Sequence, residues 1–110
     1  MQETIPVITV NELQQYIADG AVLVDVREPD ETASGVIPDA KLIPLSQFPE
    51  TCCEIPKAKT IIFYCRSGRR SLKAGAIASQ WIDSKLYSLA GGYEEYKQKF
   101  LLNQSSERQK

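Results

Sequence analysis

The succession of a buried strand, a short loop and an amphipathic helix between residues 60 and 82 constrains the fold most. The run TIIFY, residues 60–64, is almost wholly apolar and rich in β-branched and aromatic side chains, which is typical of a strand covered on both faces. After the loop, apolar residues recur with helical spacing and predict a helix of about a dozen residues that begins near Ser71. This face consists of Ala74, Ile77, Ala78, Trp81 and Ile82. Such a unit predicts an α/β fold around a mainly parallel sheet.

The N-terminal part of the chain repeats the alternation in the opposite order. A helix is predicted from about Asn11 to Asp19, because Asn11 and Gln14 have the spacing of a capping box and Gly20 can close the helix. The apolar run from Val22 to Val24 then predicts a second strand buried on both faces. A helix followed by a buried strand is what a β-α protein requires.

The remaining segments complete a single domain. Residues 28–60 carry five of the six prolines, so only a short strand near residues 41–43 and short helical turns are predicted there. A further strand at about residues 86–89 leads to Gly91 and Gly92 and to a last helix, whose apolar face is Tyr93, Tyr96, Phe100 and Leu101. We predict one domain over residues 1–102 and a polar C-terminal tail over 103–110.

The composition excludes several classes of function. Thirteen Lys and Arg against fourteen Asp and Glu give a formal charge of -1, which provides no bulk electrostatic basis for binding nucleic acid or a membrane surface. The N-terminus does not resemble a signal peptide, and no apolar run approaches the ~18 residues of a membrane span, so a cytoplasmic location is predicted. Three cysteines and no histidine form neither a disulfide framework nor a zinc site. No metal or cofactor is expected.

Cys65 occupies the position where ligands bind in open α/β sheets. It follows a buried strand and precedes a helix N-terminus, where backbone N–H groups and the helix dipole favour negative charge. Those N–H groups can surround the sulfur as a nest, with Gly68 supplying backbone freedom, and nearby arginines add positive charge, so a lowered thiol pKa is predicted. The predicted site is the catalytic Cys65 with the substrate-binding residues Arg66, Ser67, Gly68, Arg69, Arg70 and Ser71.

The other two cysteines lie in a different setting. Cys52 and Cys53 are adjacent, flanked by prolines, and have little nearby positive charge that could stabilise a thiolate. They are predicted to be structural or incidental.

Four motifs resemble a known family in the order in which they occur. LVDVREPDE, GVIPDAKLIPLS, IIFYCRSGRRS and LAGGYEEY are similar to the motifs of single-domain rhodanese-like sulfurtransferases, and together they cover nearly the whole chain. The resemblance implies a central, mainly parallel five-stranded sheet flanked by helices on both faces, and a loop cysteine that carries a persulfide sulfur. Cys65, Gly68 and Arg70 match the Cys-x-x-Gly-x-Arg loop that is typical of active members.

The resemblance also implies a set of residues that support the loop. The family's Asp and Arg after the second strand correspond to Asp25 and Arg27, and the Glu that often pairs with that Arg corresponds to Glu31. These three residues are predicted to be scaffold. They are not expected to take part in the chemistry.

The chain departs from the family pattern at four positions outside the loop. The family usually has an aromatic residue at Thr32, His at Val36, Gly at Asp39 and Trp at Tyr96. These departures bear on the rim of the pocket and on partner choice. They are expected to affect the sulfur chemistry less.

The resemblance implies a two-step sulfur transfer. A sulfane sulfur passes from thiosulfate or a persulfide, an anionic donor, to Cys65 and then to cyanide, a small thiol or a protein thiol. One alternative is a non-enzymatic module that senses redox state or binds a partner protein. The other is a cysteine phosphatase or arsenate reductase, which uses a Cys-x5-Arg cradle that Arg70 misses by one residue. The sequence predicts neither the physiological donor and acceptor nor the oligomeric state.

Overall fold

The computed structural model describes residues 5–102 of the chain, and its centre is a five-stranded sheet. The strands are β1 (Val7–Ile8), β2 (Val22–Asp25), β3 (Lys41–Leu42), β4 (Thr60–Tyr64) and β5 (Lys85–Leu89), in the order β1-β5-β4-β2-β3. All four pairings are parallel. The predicted α/β fold with a five-stranded parallel sheet is therefore confirmed. The periodicity did not indicate β1, because two residues are too short to show a pattern.

Residues 5–102 contain four α-helices, of which three connect strands and the fourth follows the last strand. They are α1 (Val10–Ala18), α2 (Pro29–Thr32), α3 (Arg69–Ala78) and α4 (Gly92–Tyr96), and a wider π-type turn over Lys97–Leu102 continues α4. Two 3₁₀ turns, Leu45–Gln47 and Cys52–Glu54, lie in the proline-rich middle of the chain, as predicted for that segment. No helix within residues 5–102 is long and apolar enough to cross a membrane. The predicted polar tail, 103–110, lies outside the described residues.

The N-terminal capping box of α1 uses a different pair from the one predicted. Thr9 is the N-cap, its Oγ1 accepts from the Glu12 N–H at 3.3 Å, and the Glu12 carboxylate accepts from the Thr9 N–H at 2.8 Å. The prediction of Asn11 and Gln14 was wrong. Starting the helix at Val10 buries that side chain together with Leu13 against the sheet, which favours the earlier cap.

Helix α3 is displaced towards the N-terminus relative to the prediction. It begins at Arg69 and ends at Ala78, and a tight turn follows in which Trp81 N–H donates to the Ala78 carbonyl at 2.8 Å. The Trp81 side chain is 65% exposed, so its predicted place on the buried helical face was wrong. Ile82 still packs against the core from the turn. The apolar spacing continues beyond the helix because the turn returns Ile82 to the sheet.

Helices cover both faces of the sheet, as predicted. On one face, α3 contributes Ala74 and Ala78 to a core that includes Phe63 of β4. On the other face, Leu13 of α1 and Tyr93 of α4 join the second core. Four of the five β4 residues are buried, which accounts for the unbroken apolar run in the sequence.

The topology places β4 where ligands are expected to bind. The chain leaves β2 for β3 on one side of the sheet and leaves β4 for β5 on the other, and β2 and β4 are neighbours. Connections that diverge in this way open a crevice beyond the carboxyl ends of the two strands. The loop after β4 and helix α2 after β2 flank that crevice. Cys65 is the first residue beyond the end of β4.

Candidate active site

The Cys65 sulfur lies at the base of the loop between β4 and α3. The residue is only 1% exposed, and the Gly68 N–H donates to its Sγ at 3.1 Å. Gly68 adopts φ 113°, which a residue with a side chain reaches only with strain, and it is the N-cap of α3. The left-handed turn at Gly68 brings the loop amides back over the sulfur. The predicted nest is therefore the conformation the loop adopts.

The hydrogen-bond donors around the sulfur outweigh its burial. Burial by itself raises the pKa of the Cys65 thiol. The Ser71 N–H and hydroxyl and the N–H groups of Gly68 and Ser67 favour the thiolate, and the net result is a lowered pKa. These donors are backbone and hydroxyl groups, so the thiolate is stabilised without any histidine.

The three arginines of the loop have different partners. The Arg70 guanidinium makes two bonds of 2.7 Å to the two carboxylate oxygens of Glu31. Arg66 is exposed and pairs through Nε with Glu94 at 3.2 Å. Arg69 is exposed, and none of the ion pairs found within residues 5–102 includes it. Arg69 is therefore the loop cation that is not committed to a carboxylate in this part of the chain.

Glu31 pairs with the loop and not with Arg27, so the pairing implied by the resemblance was wrong. Helix α2 starts just beyond the end of β2, and this position directs Glu31 to the first turn of α3, where Arg70 lies. The Arg70 hydrogen bonds are the main reason that the pKa of Glu31 is lowered to about 2. The same pair raises the pKa of Arg70, with a smaller contribution from the Cys65 charge.

Arg27 instead joins a buried cluster that supports the crevice. Its Nη2 lies 2.7 Å from Asp25 Oδ2, and the same nitrogen donates to the Gly35 carbonyl at 2.8 Å. Its guanidinium carbon lies 4.3 Å from the centre of the Tyr93 ring. Asp25 and Arg27 are both buried. None of the hydrogen bonds found within residues 5–102 joins either residue to the Cys65 sulfur. The geometry fits the predicted scaffold role.

The start of α4 holds the first residues of the loop in place, a support that was not predicted from the sequence. The Tyr93 N–H donates to the Cys65 carbonyl at 2.8 Å, and the Glu94 N–H donates to the Arg66 carbonyl at 3.1 Å. Gly92 packs so closely that a Cβ there would meet both carbonyl oxygens. The Gly-Gly pair after β5 was the sequence signal for this close approach.

Two serine hydroxyls lie below the loop. Ser71 Oγ is 3.7 Å from the Cys65 sulfur, donates to the Gly68 carbonyl at 3.1 Å, and lies 2.7 Å from Ser88 Oγ on β5. Both serines are fully buried. Ser71 belonged to the predicted site. Ser88 did not, because nothing in its local sequence distinguishes it from an ordinary strand residue.

The four departures from the family pattern lie outside the loop. Thr32 caps its own turn through the Pro29 carbonyl, and Val36 is half-buried. Asp39 adopts a left-handed φ of 69°, a conformation that glycine takes without strain. Tyr96 is buried in a row of aromatic rings, 6.2 Å from Tyr93 and 5.1 Å from Phe100 between ring centres.

The remaining two cysteines lie at the opposite edge of the sheet. Cys52 is buried in the core, and burial raises its pKa. Cys53 is exposed, and its thiol contacts the Glu50 carbonyl at 3.7 Å. Both line a cleft of about 1180 Å³ at the amino ends of β4 and β5. This cleft does not contain Cys65, so its size gives no reason to move the candidate chemistry from the loop.

Comparison with known proteins assigns the family. Residues 9–99 match the Rhodanese-like domain. The chain belongs to the rhodanese-like family. A sulfurtransferase of Allochromatium vinosum is 43% identical over 82 residues, which cover 73% of this chain and 77% of the relative. The human thiosulfate:glutathione sulfurtransferase is 31% identical over 109 residues, covering 86% and 95%.

Solved structures agree with the family assignment. The human single-domain sulfurtransferase TSTD1 superposes on this rhodanese-like domain with a TM-score of 0.73 and 29% identity, covering 86% of this chain and 96% of that one. The resemblance predicted from the four motifs is therefore confirmed. The two sulfurtransferases named above, from Allochromatium vinosum and human, align along most of their length, which supports sulfurtransferase activity for this chain.

Proposed function

We propose that this rhodanese-like domain transfers a sulfane sulfur from thiosulfate or a persulfide donor to a thiol or cyanide, through a persulfide on Cys65. The observation that carries the proposal is the buried Cys65 sulfur, which accepts the Gly68 N–H at 3.1 Å and has a lowered pKa. A thiolate held by backbone amides is a nucleophile that needs no separate base.

The first half of the reaction loads the sulfur. The Cys65 thiolate attacks the outer sulfur of thiosulfate, a new S–S bond forms to that sulfur, and the old S–S bond breaks. The electron pair of the broken bond leaves with sulfite, and the Cys65 persulfide carries the negative charge. The amides of Ser67, Gly68 and Ser71, which favour the thiolate, are in position to favour that charge one atom further out.

The second half returns the enzyme to its starting state. A thiolate or cyanide attacks the terminal sulfur of the persulfide, and the Cys65 thiolate leaves with the electron pair of the S–S bond. The acceptor becomes a persulfide or thiocyanate. No outside oxidant is needed, because the transferred sulfur takes no net electrons from the enzyme. The human relative carries glutathione in its name, so glutathione is the first acceptor to test.

The loop arginines divide between binding and support. Arg70 is held by two bonds to Glu31, so its charge acts on the loop from a fixed place. Arg66 and Arg69 are exposed residues of the loop, and an exposed guanidinium can hold the sulfonate oxygens of thiosulfate. Arg69 is the stronger candidate of these two, because Glu94 already occupies Arg66.

Intact-protein mass spectrometry tests the proposal. After incubation with thiosulfate, the wild-type chain should gain the mass of one sulfur atom, and cyanide or glutathione should remove it. The added sulfur should be found on the peptide TIIFYCR, which contains Cys65 and no other cysteine. A chain that gains no sulfur, or gains it on the peptide with Cys52 and Cys53, would contradict the proposal.

A further inference from the structure

Ser88 is a polar residue at a buried position of the sheet. It lies on β5 next to Phe63 of β4 and is fully buried. Its register places it on the sheet face that packs against α3, since Leu86, two residues earlier, belongs to the core that α3 covers. Within the described residues, the hydrogen bond found for its side chain joins it to Ser71 Oγ at 2.7 Å.

Ser71 has one hydroxyl hydrogen and three neighbours. The Gly68 carbonyl, at 3.1 Å, can only accept. The Cys65 sulfur, at 3.7 Å, donates when it is a thiol and accepts when it is a thiolate. Ser88 Oγ can either donate to Ser71 or accept from it. The direction of this last bond therefore decides whether the Ser71 hydrogen is available to the sulfur.

A Ser71 hydroxyl that accepted no bond from Ser88 would be a better acceptor for the Cys65 S–H and would favour the thiol. A Ser88 hydroxyl that donates occupies one Ser71 lone pair and polarises its O–H. The Ser71 hydrogen is then a stronger donor, and it can turn from the Gly68 carbonyl to the thiolate. The two buried hydroxyls form a short relay that ends at the reacting sulfur.

We propose that Ser88 is a positioning residue for Cys65, which donates to Ser71 and so directs the Ser71 hydroxyl hydrogen to the thiolate. The inference rests on the proposed role of Cys65 as the nucleophile. It adds a residue from β5 that touches neither the sulfur nor a substrate. No proton leaves the relay, because both hydroxyls keep their hydrogens throughout.

Labelling of Cys65 by iodoacetamide as a function of pH tests the relay without any sulfur transfer. Modification is followed on the TIIFYCR peptide, so Cys52 and Cys53 do not interfere. In Ser88→Ala we expect the midpoint to rise by about half a pH unit, a roughly threefold loss of thiolate below the midpoint. Ser88→Thr keeps the hydroxyl and should restore the wild-type midpoint. An unchanged midpoint in Ser88→Ala overturns the inference.

A double-mutant cycle separates the relay from a purely structural effect. In a Ser71→Ala background, Ser88→Ala should produce no further shift, because the hydroxyl that it orients is gone. An equal shift in both backgrounds would contradict the relay. Ser84→Ala is the matched control, since it removes a serine hydroxyl bonded to the Ala58 carbonyl at the far edge of the sheet and should leave the Cys65 midpoint unchanged.

Two further outcomes keep the test decisive. If Ser88→Ala does not fold, Ser88→Cys replaces the hydroxyl with a weaker donor of similar size. It should shift the midpoint in the same direction by a smaller amount, and no shift in this variant overturns the inference.

The sulfur-transfer rate gives an independent reading. In Ser88→Ala, kcat/KM for thiosulfate should fall about threefold below the midpoint and recover above it. Failure of the wild type to load sulfur would contradict the proposed function, whereas the labelling result would still decide the role of Ser88.

Discussion

A buried cysteine lies near the amino ends of the parallel strands, here called the amino edge, and another lies at their carboxyl ends, the carboxyl edge. The pKa values of the two thiols are shifted in opposite directions. Cys52 at the amino edge is 4% exposed and Cys65 at the carboxyl edge is 1% exposed. Burial raises the pKa of both thiols, and for Cys52 nearby negative charge raises it further. For Cys65, hydrogen bonds from Ser71, Gly68 and Ser67 reverse the effect. Burial alone therefore produces an unreactive thiol, and the hydrogen-bond donors of the loop account for the difference.

Replacing the Cys65 sulfur should have the largest effect on the rate of sulfur transfer. Cys65→Ser should reduce sulfur transfer from thiosulfate to cyanide by more than about 10³-fold, because the hydroxyl is not ionised at neutral pH and cannot store sulfur. Thiocyanate formation measures the rate. Cys53→Ser, at the amino edge, should retain the wild-type rate. A large loss of rate in Cys53→Ser, or sulfur transfer that persists in Cys65→Ser, would contradict the assignment of the reaction to Cys65.

Changing the length of the loop tests whether its amides are aimed at a single atom. A glycine inserted between Gly68 and Arg69 should reduce sulfur transfer by about 10- to 100-fold, since an error of about 1 Å in a donor is enough for a loss of that size. The wild type should hydrolyse p-nitrophenyl phosphate negligibly, because three phosphoryl oxygens need a wider ring of donors. A glycine inserted between Lys57 and Ala58 at the amino edge is the control. Comparable wild-type rates on thiosulfate and the phosphate ester would contradict this account.

The close packing of Gly92 on the loop predicts a combined effect on stability and activity. Gly92 has φ 56° and no room for a Cβ against the Arg66 and Cys65 carbonyls, so Gly92→Ala should destabilise the fold by about 1–3 kcal/mol and also lower sulfur transfer. Gly20, with φ 98° and open space around it, lies just before β2 at the amino edge. Gly20→Ala should cost about 1 kcal/mol and leave the rate unchanged. Urea denaturation and thiocyanate assays measure both; equal activities in the two variants would argue against the role of Gly92.

The Glu31–Arg70 pair predicts a smaller, pH-dependent effect. The pair is partly exposed, so Glu31→Gln should cost about 1 kcal/mol at pH 7. The pKa of Glu31 is lowered from its ordinary value of 4.5 to about 2, so its stabilising contribution is complete above the ordinary value and is lost as the pH falls through that interval. The difference between wild type and variant in urea denaturation should shrink accordingly. A pH-independent difference for Glu31→Gln would refute the pairing.

Local patterns in the sequence predicted the carboxyl edge better than its supporting contacts. The strand β4, the loop and α3 are consecutive, so apolar spacing and one glycine were enough to predict the nest around Cys65. The supports come from elsewhere in the chain: Ser88 bonds to Ser71 across 17 residues, and Glu31 bonds to Arg70 across 39. Periodicity carries no information about such pairs. Periodicity also placed Trp81 on a buried helical face, which was wrong. The turn after α3 returns Ile82 to the core, so the apolar residues keep a helical spacing although the helix has ended.

The pKa of the Cys65 thiol in the folded chain, compared with that of the same thiol in urea, measures whether the loop donors outweigh burial. Iodoacetamide labelling of the TIIFYCR peptide against pH gives both midpoints from one protein. If the loop donors outweigh burial, the folded midpoint should lie below the unfolded one. A folded midpoint equal to or above the unfolded one would mean that burial prevails at Cys65 as it does at Cys52, and that the loop does not stabilise the thiolate.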